Sequence, residues 1–317
     1  MPAVRPGSKG AVVSGWGTAL PPKILTNDEL AATMDTSDEW IVTRTGIRER
    51  RIGGSTTGLA AEAGRQALDM AGLSPDRIDA LVLATTTPDK QWGTAASVQN
   101  ELGLTCGAFE VNAACSGFMY ALVQGFGMIA TGADRVLVIG AETLSRITDW
   151  DDRATAPLFG DGAGAVVLES VDGPGALLSW DLQADGSLLP LLWAEVGGVI
   201  KMEGKEVFRR AVRIMVDSAN TSLAAAGVTT DDLDLIVPHQ ANIRIIEAAC
   251  DRLSVPLEKA ASVIHRTGNT SSASIPLALA DALDNGRVAD GDLVLLVGFG
   301  GGMTAASAVL RWGGGPS

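Results

Sequence analysis

The chain repeats one pattern of apolar strands with polar ends at a nearly constant distance along its 317 residues. LSPDRIDALVLATTT resembles VTTDDLDLIVPHQAN, with Leu81 matching Ile236 at an offset of 155 positions. ADRVLVIGAE resembles DGDLVLLVGFG, with Gly140 matching Gly298 at an offset of 158, and CSGFMYAL lies opposite SSASIPLAL at an offset of 157. Buried strands often look alike, but three matches in the same order predict two structurally similar halves. We expect these halves to cover residues 1–172 and 173–317, meeting near SVDGPG.

Short runs rich in Val, Ile and Leu alternate with helix-like segments along both halves. One predicted helix begins near Thr57 and stops at Gly72, a second ends at Gly227, and a third covers ANIRIIEAACDRL. The predicted strands are AVVSGWG, IDALVLATTT, DRVLVIGAE, AVVLES, LDLIVPHQ, DLVLLVGFGGG and SAVLRW. This alternation predicts an α/β fold in which helices cover both faces of each sheet.

Charge and cysteine content exclude several classes of protein. The net charge of −13 argues against a general nucleic-acid surface, which needs a basic excess. Three cysteines without a CxxC pair favour a reducing cytoplasm over a disulfide framework, and two isolated histidines give no metal-ligand spacing. The first residues lack the apolar core of a secretory signal, and every long apolar stretch is too short to span a bilayer. We therefore expect a cytoplasmic protein without a membrane segment or bound metal.

Four polar or reactive features stand where apolar strands end, which is where open α/β sheets bind ligands. Cys115 starts an apolar helix, and a cysteine there is either a buried core residue or a nucleophile. His239 follows a strand and is either a hydrogen-bonded tie or a catalytic group. Asn269, in TGNTSS, is either a turn residue or an amide donor, and the glycines at 300–302 give a tight turn or free backbone N–H groups. The glycine-rich segment FGDGAGA lacks a phosphate-loop ending and predicts close packing.

Together these groups predict acyl transfer through a thioester. A cysteine at a helix N-terminus gains thiolate character, and a histidine nearby assists it. An amide and backbone N–H groups stabilise an enolate or a tetrahedral oxyanion. Papain-like proteases also use cysteine, histidine and asparagine, but the local sequences here differ from theirs.

Longer motifs in both halves closely resemble the β-ketoacyl-acyl-carrier-protein synthase III family. The resemblance runs from about residue 10 to 312 and implies a thiolase fold, a five-layered α-β-α-β-α arrangement with two duplicated halves. The motifs are TSDEWIVTRTGIRERR, VNAACSGF, LFGDGAGA, GKEVFRRAV, VPHQANIRII, TGNTSSASIPLAL and GFGGGMT.

The resemblance also implies a reaction and a set of site residues. Cys115 would accept the acyl group of an acyl-CoA, while His239 and Asn269 would promote decarboxylation of malonyl-acyl carrier protein. The N–H groups of Cys115 and Gly301 would form the oxyanion hole, and no cofactor would be needed. Coenzyme A would be bound by Trp40, Arg44, Arg153, Gly204, Phe208, Ala241 and Asn242.

Further residues are implied for partner binding. A basic collar for the acidic carrier protein, or otherwise a solvated helix face, would consist of Arg209, Arg210, Arg213, Arg244 and Arg252. Trp92 stands where the family commonly has Phe, in a segment that resembles the part reaching into the acyl pocket of the partner in a homodimer. Alternatives are a related enzyme that primes polyketide synthesis or acylates oxygen or nitrogen, and a non-catalytic scaffold. A plant-type polyketide synthase fits poorly because the glycine motif is GFGGG.

Overall fold

The computed structural model describes residues 9–313. Most of the N-terminal segment that was searched for a secretory signal therefore lies outside the described residues. Most predicted strands are present, and additional ones occur at 107–111 and 177–183. The strands are β1 (Gly10–Ala19), β2 (Ile24–Thr26), β3 (Glu49–Arg51), β4 (Ala80–Ala84), β5 (Gly107–Val111), β6 (Arg135–Thr143), β7 (Asp161–Val171), β8 (Leu177–Gln183), β9 (Leu192–Trp193), β10 (Lys201–Met202), β11 (Leu235–Pro238), β12 (Leu293–Gly300) and β13 (Thr304–Arg311).

The helices begin and end at the residue types that favour helix termini. The predicted stops at Gly72 and Gly227 are confirmed, because both glycines cap a helix in the left-handed conformation. The helices are α1 (Asn27–Ala31), α2 (Asp38–Thr45), α3 (Thr56–Ala71), α4 (Thr94–Glu101), α5 (Gly117–Ala130), α6 (Gly204–Ala226), α7 (Ile243–Leu253), α8 (Ile264–Thr267) and α9 (Ser274–Asp284).

Two larger sheets share the same strand order and directions. The first sheet runs β1-β7-β6-β4-β5 and the second runs β8-β13-β12-β11. The pair β4–β6 of the first sheet and the pair β11–β12 of the second are parallel, and the two pairings on the β1 or β8 side of them are antiparallel. Only the first sheet has a further edge strand, β5, while the second has a single bridge between Ile236 and Ala260 at the corresponding edge. This repetition confirms the duplicated fold.

The apolar cores give the order of the layers. Helices α5 and α9 lie between the two sheets, in a core that includes Phe118 and Ile275. Helices α3 and α4 cover the outer face of the first sheet, and α6 and α7 cover the outer face of the second. The result is the predicted five-layered α-β-α-β-α arrangement, with the two central helices beginning close to each other.

Glycines permit the closest contacts between layers. A Cβ on Gly160 would lie 2.2 Å from the Thr267 carbonyl oxygen, and one on Gly164 would lie 2.8 Å from the Pro276 side chain. The prediction that FGDGAGA serves close packing is therefore confirmed. Within residues 9–313 no helix is long and apolar enough to cross a membrane, and no group of three or more acidic, histidine or cysteine side chains could hold a metal.

Candidate active site

Cys115 lies in a short turn, Ala114–Ser116, that joins β5 to α5. Ala114 has a φ of 49°, a left-handed conformation that bends the chain sharply before the cysteine. The Ala114 N–H donates to Asn112 Oδ1 at 3.2 Å and stabilises the bend. Cys115 remains partly exposed, whereas Cys250 is buried. This position does not fit a closed-core cysteine.

Asn269 precedes the corresponding turn of the second half, Ser271–Ala273, which leads into α9. Ser271 has a φ of 47°, so the two turns share a left-handed first residue. The Ser271 N–H donates to Asn269 Oδ1 at 2.9 Å. Because an N–H can only donate, this bond identifies the amide oxygen and leaves the Asn269 Nδ2 group as a donor. Asn269 is thus both a turn residue and an available amide.

His239 follows β11 and is fully buried, with 1% of its surface exposed. Its Nδ1 atom lies 2.6 Å from the Ser274 hydroxyl at the start of α9, and its ring packs edge-to-face on Phe299 at 5.4 Å. Among the described residues Nε2 has no hydrogen-bond partner. Burial lowers the pKa of His239 to about 3, so the ring is neutral. When Ser274 donates to Nδ1, Nε2 carries the proton and can donate it to a ligand oxygen.

The glycines after β12 lie directly against the cysteine turn. A Cβ on Gly300 would come within 2.6 Å of the Cys115 nitrogen, so only glycine fits there without a shift. Gly301 follows and starts the turn Gly301–Met303, and Thr304 Oγ1 then donates to the Ala113 carbonyl at 3.0 Å. These contacts hold the backbone around Gly301 beside the backbone of Cys115.

Hydrogen bonds from one segment, Ser271–Ser274, connect the three predicted catalytic side chains. The Ser271 hydroxyl bonds the Cys115 thiol, while its N–H bonds Asn269. Ser274 bonds His239. The fold therefore brings together one residue from the first half and two from the second.

The resting charge of the thiol differs from the sequence-based expectation. Burial raises the pKa of Cys115 to about 12, and the Ser271 hydroxyl opposes this shift. The expectation of thiolate character is therefore wrong for the unliganded site, because loss of solvation outweighs the influence of the helix end. Deprotonation has to accompany attack on a substrate.

Glu142, near the end of β6, is a buried carboxyl that the sequence analysis missed. It is 0% exposed, and burial raises its pKa. Hydrogen bonds reach it from the segment Thr85–Thr87 and from Ser272. A lone glutamate at a strand end gives no sequence signal, because its partners lie 55 to 130 positions away.

Four of the residues predicted to bind coenzyme A lie together at α2, namely Trp40, Arg44, Arg153 and Asn242. The guanidinium carbons of Arg44 and Arg153 lie 4.6 and 4.3 Å from the centre of the Trp40 ring. Asn242 caps α7 and donates through Nδ2 to the Arg44 carbonyl at 2.9 Å, so α2 and α7 are joined. Gly204 begins α6, and Ala241 immediately precedes the Asn242 cap of α7.

The predicted basic collar lies on α6 and α7. Arg244 lies over the Phe208 ring at 5.5 Å and links the two helices. The collar arginines Arg209 and Arg210 both pair with Glu206, and Arg213 pairs with Asp217. Arg252 is an exposed residue of the last turn of α7. The helix face is thus basic but partly neutralised by its own acids.

Trp92 lies in the loop before α4, with 81% of its surface exposed. The indole is therefore available for contact with another molecule.

Comparison with known proteins identifies the family. The family model described as 3-oxoacyl-[acyl-carrier-protein] synthase III matches residues 109–186, and its C-terminal counterpart matches residues 223–312. The beta-ketoacyl-[acyl-carrier-protein] synthase III of Sinorhizobium medicae is 49% identical over 320 residues, covering 95% of this chain and 99% of its own. The chain belongs to the 3-oxoacyl-[acyl-carrier-protein] synthase III family. It is therefore an enzyme of the acyltransferase class, as predicted.

Solved structures agree with this assignment. The 3-oxoacyl-[acyl-carrier-protein] synthase III of Aquifex aeolicus has a TM-score of 0.93 and 46% identity, covering 96% of this chain and all of its own (100%). The priming β-ketosynthase of the R1128 polyketide pathway has a TM-score of 0.92 at 36% identity, covering 99% and 100%. The predicted thiolase fold of the synthase III family is thus confirmed.

Proposed function

We propose that this enzyme condenses an acyl-CoA primer with malonyl-acyl carrier protein and so initiates fatty-acid synthesis. The observation that carries the proposal is that Cys115, His239 and Asn269 are all hydrogen-bonded to one segment, Ser271–Ser274, in a synthase III chain. A non-catalytic scaffold would not need this arrangement.

In the first step, the Cys115 sulfur attacks the thioester carbonyl of the acyl-CoA. The Cys115 proton leaves as the carbon–sulfur bond forms and ends on the sulfur of the departing coenzyme A. The proton has to leave during the attack, since a protonated thiol is a weak nucleophile. The N–H groups of Cys115 and Gly301 hold the negative oxygen of the tetrahedral intermediate.

In the second step, malonyl-acyl carrier protein loses CO2 and becomes an enolate. His239 Nε2 and Asn269 Nδ2 donate hydrogen bonds to the enolate oxygen. The enolate carbon attacks the acyl carbon, the bond to the Cys115 sulfur breaks, and one proton restores the thiol. The products are a β-ketoacyl-acyl carrier protein and CO2.

The approach of the substrates follows from the surface residues. Trp40 would stack on the adenine, and Arg44 and Arg153 would bind the phosphates. The pantetheine arm would pass between α6 and α7, along Gly204, Phe208, Ala241 and Asn242. The arginines of the same helices, Arg209, Arg210, Arg213, Arg244 and Arg252, would dock the acidic carrier protein.

The proposed unit is a homodimer that works in the cytoplasm. Strand β5 forms an edge of the first sheet and exposes 40% of Phe109, which suits pairing with a second copy. Trp92 would then enter the acyl pocket of that copy, and light scattering tests the dimer. Within each chain we place the boundary between the halves at residues 172 and 173, between β7 and β8.

Priming of polyketide synthesis is a second candidate, favoured by the 36% identity to the R1128 priming β-ketosynthase over nearly the whole chain. The identity to synthase III of Aquifex aeolicus is higher, at 46%, which supports fatty-acid initiation as the first candidate. A panel of acyl-CoA primers assayed with malonyl-acyl carrier protein distinguishes the two by the preferred primer. Acyl transfer to oxygen or nitrogen would instead show turnover without release of CO2.

The partial reactions test the proposed roles. Acetyl-CoA should add an acyl mass to the wild-type protein and not to Cys115→Ala. His239→Ala and Asn269→Ala should keep most of the acylation but lose condensation by about 10²- to 10³-fold, the range for removal of an oxyanion donor. The matched control Asn220→Ala changes an exposed amide on α6 and should retain both steps. An acylated Cys115→Ala, or a fully condensing His239→Ala or Asn269→Ala variant, would contradict the proposal.

A further inference from the structure

The Glu142 carboxyl connects the two halves next to the site. Its Oε2 atom accepts hydrogen bonds from the hydroxyls of Thr87 at 2.6 Å and Thr86 at 2.9 Å. Its Oε1 atom lies 2.8 Å from the Ser272 hydroxyl of the second half. Within residues 9–313 no arginine, lysine or histidine side chain pairs with it. This is a buried carboxyl held only by neutral groups.

Ser272 belongs to the turn that orients the site. Its neighbour Ser271 bonds both Cys115 and Asn269, and Ser274 bonds His239. Ser271 is held in a left-handed conformation, which is strained for a residue with a side chain and persists only when the surroundings constrain it. The Ser272 side chain supplies such a constraint, because it is anchored to two groups of the first half, Glu142 and the Ala84 carbonyl.

Strand β6 is shaped to receive this turn. A Cβ on Gly140 would lie 2.3 Å from the Ser272 carbonyl oxygen, so the strand backbone and the turn are in direct contact. Glu142 is two residues further along the same strand and therefore on the same face. Gly140 receives the backbone of Ser272 and Glu142 receives its side chain.

The single hydrogen that the Ser272 hydroxyl can donate indicates the protonation state of Glu142. The Ser272 hydroxyl lies 3.0 Å from the Ala84 carbonyl oxygen and 2.8 Å from Glu142 Oε1, and it has one hydrogen to donate. Both contacts are hydrogen bonds only when Oε1 carries a proton and donates it to Ser272. Burial without a cation favours the same neutral form, and the Oε2 atom then acts as the carbonyl acceptor for the threonines.

We propose that Glu142 is a positioning residue that, as a neutral carboxylic acid, donates to Ser272 and fixes the Ser271–Ser274 segment against the first half. Glu142 acts through this segment on Asn269 and His239, and it touches no substrate. Its loss lets the segment shift, so the enolate donors lose their alignment with the acyl group on Cys115. This inference depends on the proposed function for its effect on condensation.

Three substitutions of Glu142 distinguish a role in positioning the Ser271–Ser274 segment from a role of its charge and from a role in the stability of the fold. Glu142→Gln keeps the shape, a carbonyl acceptor and an N–H donor toward Ser272. Glu142→Asp keeps the acid but shortens its reach, and Glu142→Ala removes both contacts. Asp181→Asn is the matched control, since Asp181 is a carboxylate at 1% exposure in the second sheet whose bonds go to Ser218 and Gln183.

The measurements are acylation by acetyl-CoA, condensation with malonyl-acyl carrier protein, and alkylation of Cys115 by iodoacetamide at one fixed pH. The Gln variant should condense within about threefold of wild type, whereas Asp and Ala variants should lose about 10²-fold, as expected for a 1 Å misplacement. Acylation should fall much less than condensation in all three. Asp181→Asn should leave both steps unchanged at a temperature where each variant is folded.

Alkylation reports on Glu142 independently of turnover. A negative charge near a thiol raises its pKa, so removal of an ionised Glu142 would speed the reaction of Cys115. The Gln variant should therefore react at the wild-type rate, and the Ala variant more slowly because the Ser271 hydroxyl is displaced. Faster alkylation of the Gln variant would overturn the neutral form. A Gln variant as slow in condensation as Ala, or an Ala variant equal to wild type, would overturn the positioning role.

A failure of the proposed function gives a different result. Wild-type protein that does not condense would refute the function and leave the alkylation rates to decide the role of Glu142. Parallel loss of acylation and condensation, in proportion to loss of folded protein, would assign Glu142 to stability alone.

Discussion

Cys115 and Ser272 occupy equivalent positions in the two halves, and their surroundings differ at one point. Each is the second residue of a turn whose first residue, Ala114 or Ser271, is left-handed. The strand of the opposite half presents Gly300 to Cys115 and Glu142 to Ser272. Glycine lets the strand backbone pack directly against the Cys115 nitrogen, whereas the Glu142 carboxyl bonds the Ser272 side chain. One copy of the duplicated turn is therefore open, with no side chain from that strand position against it, and the other is anchored.

The sheet edges of the two halves differ as well. The first sheet adds β5, whose end leads directly into the cysteine turn, while the second half has one bridge at Ala260 in its place. The extra strand extends the first sheet to an exposed edge. The duplicated architecture thus places the proposed nucleophile and the exposed sheet edge in one half, and the neutral histidine and the amide in the other.

The largest expected effect comes from filling the open position. In Gly300→Ala the new Cβ would lie 2.6 Å from the Cys115 nitrogen and 2.9 Å from Thr304 Oγ1. Because backbone has to move, acylation by acetyl-CoA should fall by at least about 10²-fold. Gly127→Ala, on the exposed side of α5 with open space around it, should keep full activity. Wild-type acylation in Gly300→Ala would remove the distinction between the open and the anchored turn.

A smaller effect is expected when the contact between Glu142 and the anchored turn is removed from the Ser272 side. Ser272→Ala removes both hydrogen bonds of this hydroxyl, to Glu142 and to the Ala84 carbonyl, so condensation should fall by about 10- to 10²-fold, the worth of two hydrogen bonds. Acylation should change little. A double variant with Glu142→Ala should be no slower than Glu142→Ala alone, because both changes break the same contact. If the losses in condensation rate were strictly additive in this double-mutant cycle, Ser272 and Glu142 would act independently, and the prediction would be wrong.

The smallest effect concerns stability at acid pH. Histidine can contribute to it only from the second half, because both histidines lie there. His239 has a pKa lowered from 6.5 to about 3, so the unfolded chain binds a proton at pH 5 that the folded chain does not. The free energy of unfolding should therefore fall as pH drops below 6.5, by about 2 kcal/mol at pH 5. Urea unfolding of wild type and His239→Gln at pH 7 and pH 5 measures the difference. His265→Gln should alter the wild-type pH dependence less than His239→Gln does, since His265 is exposed, and equal pH dependence in all three proteins would contradict the prediction.

Much of the fold was predictable because it depends on local patterns repeated at a distance. The apolar strands and the glycine stops at Gly72 and Gly227 carry their signal in neighbouring residues. Strand β5 was missed because Glu110 interrupts a short, partly exposed run. The site residues Cys115, His239 and Asn269 stood out as polar breaks at strand ends, but Glu142 depends on partners from three distant segments. The thiol pKa was mispredicted because burial is a property of the folded environment.

The left-handed residues at Ala114, Ser271 and Met303 have a consequence for engineering. Each has a φ between 46° and 49° and lies in a turn around the site, where a side chain is held in a conformation that glycine adopts freely. Selection for thermal stability alone would favour glycine at these positions, since relief of the strain is worth roughly 1–2 kcal/mol each. The same changes would let the turns sample other shapes. A programme to make this enzyme heat-resistant should leave these three positions alone and seek its gains in the outer helices.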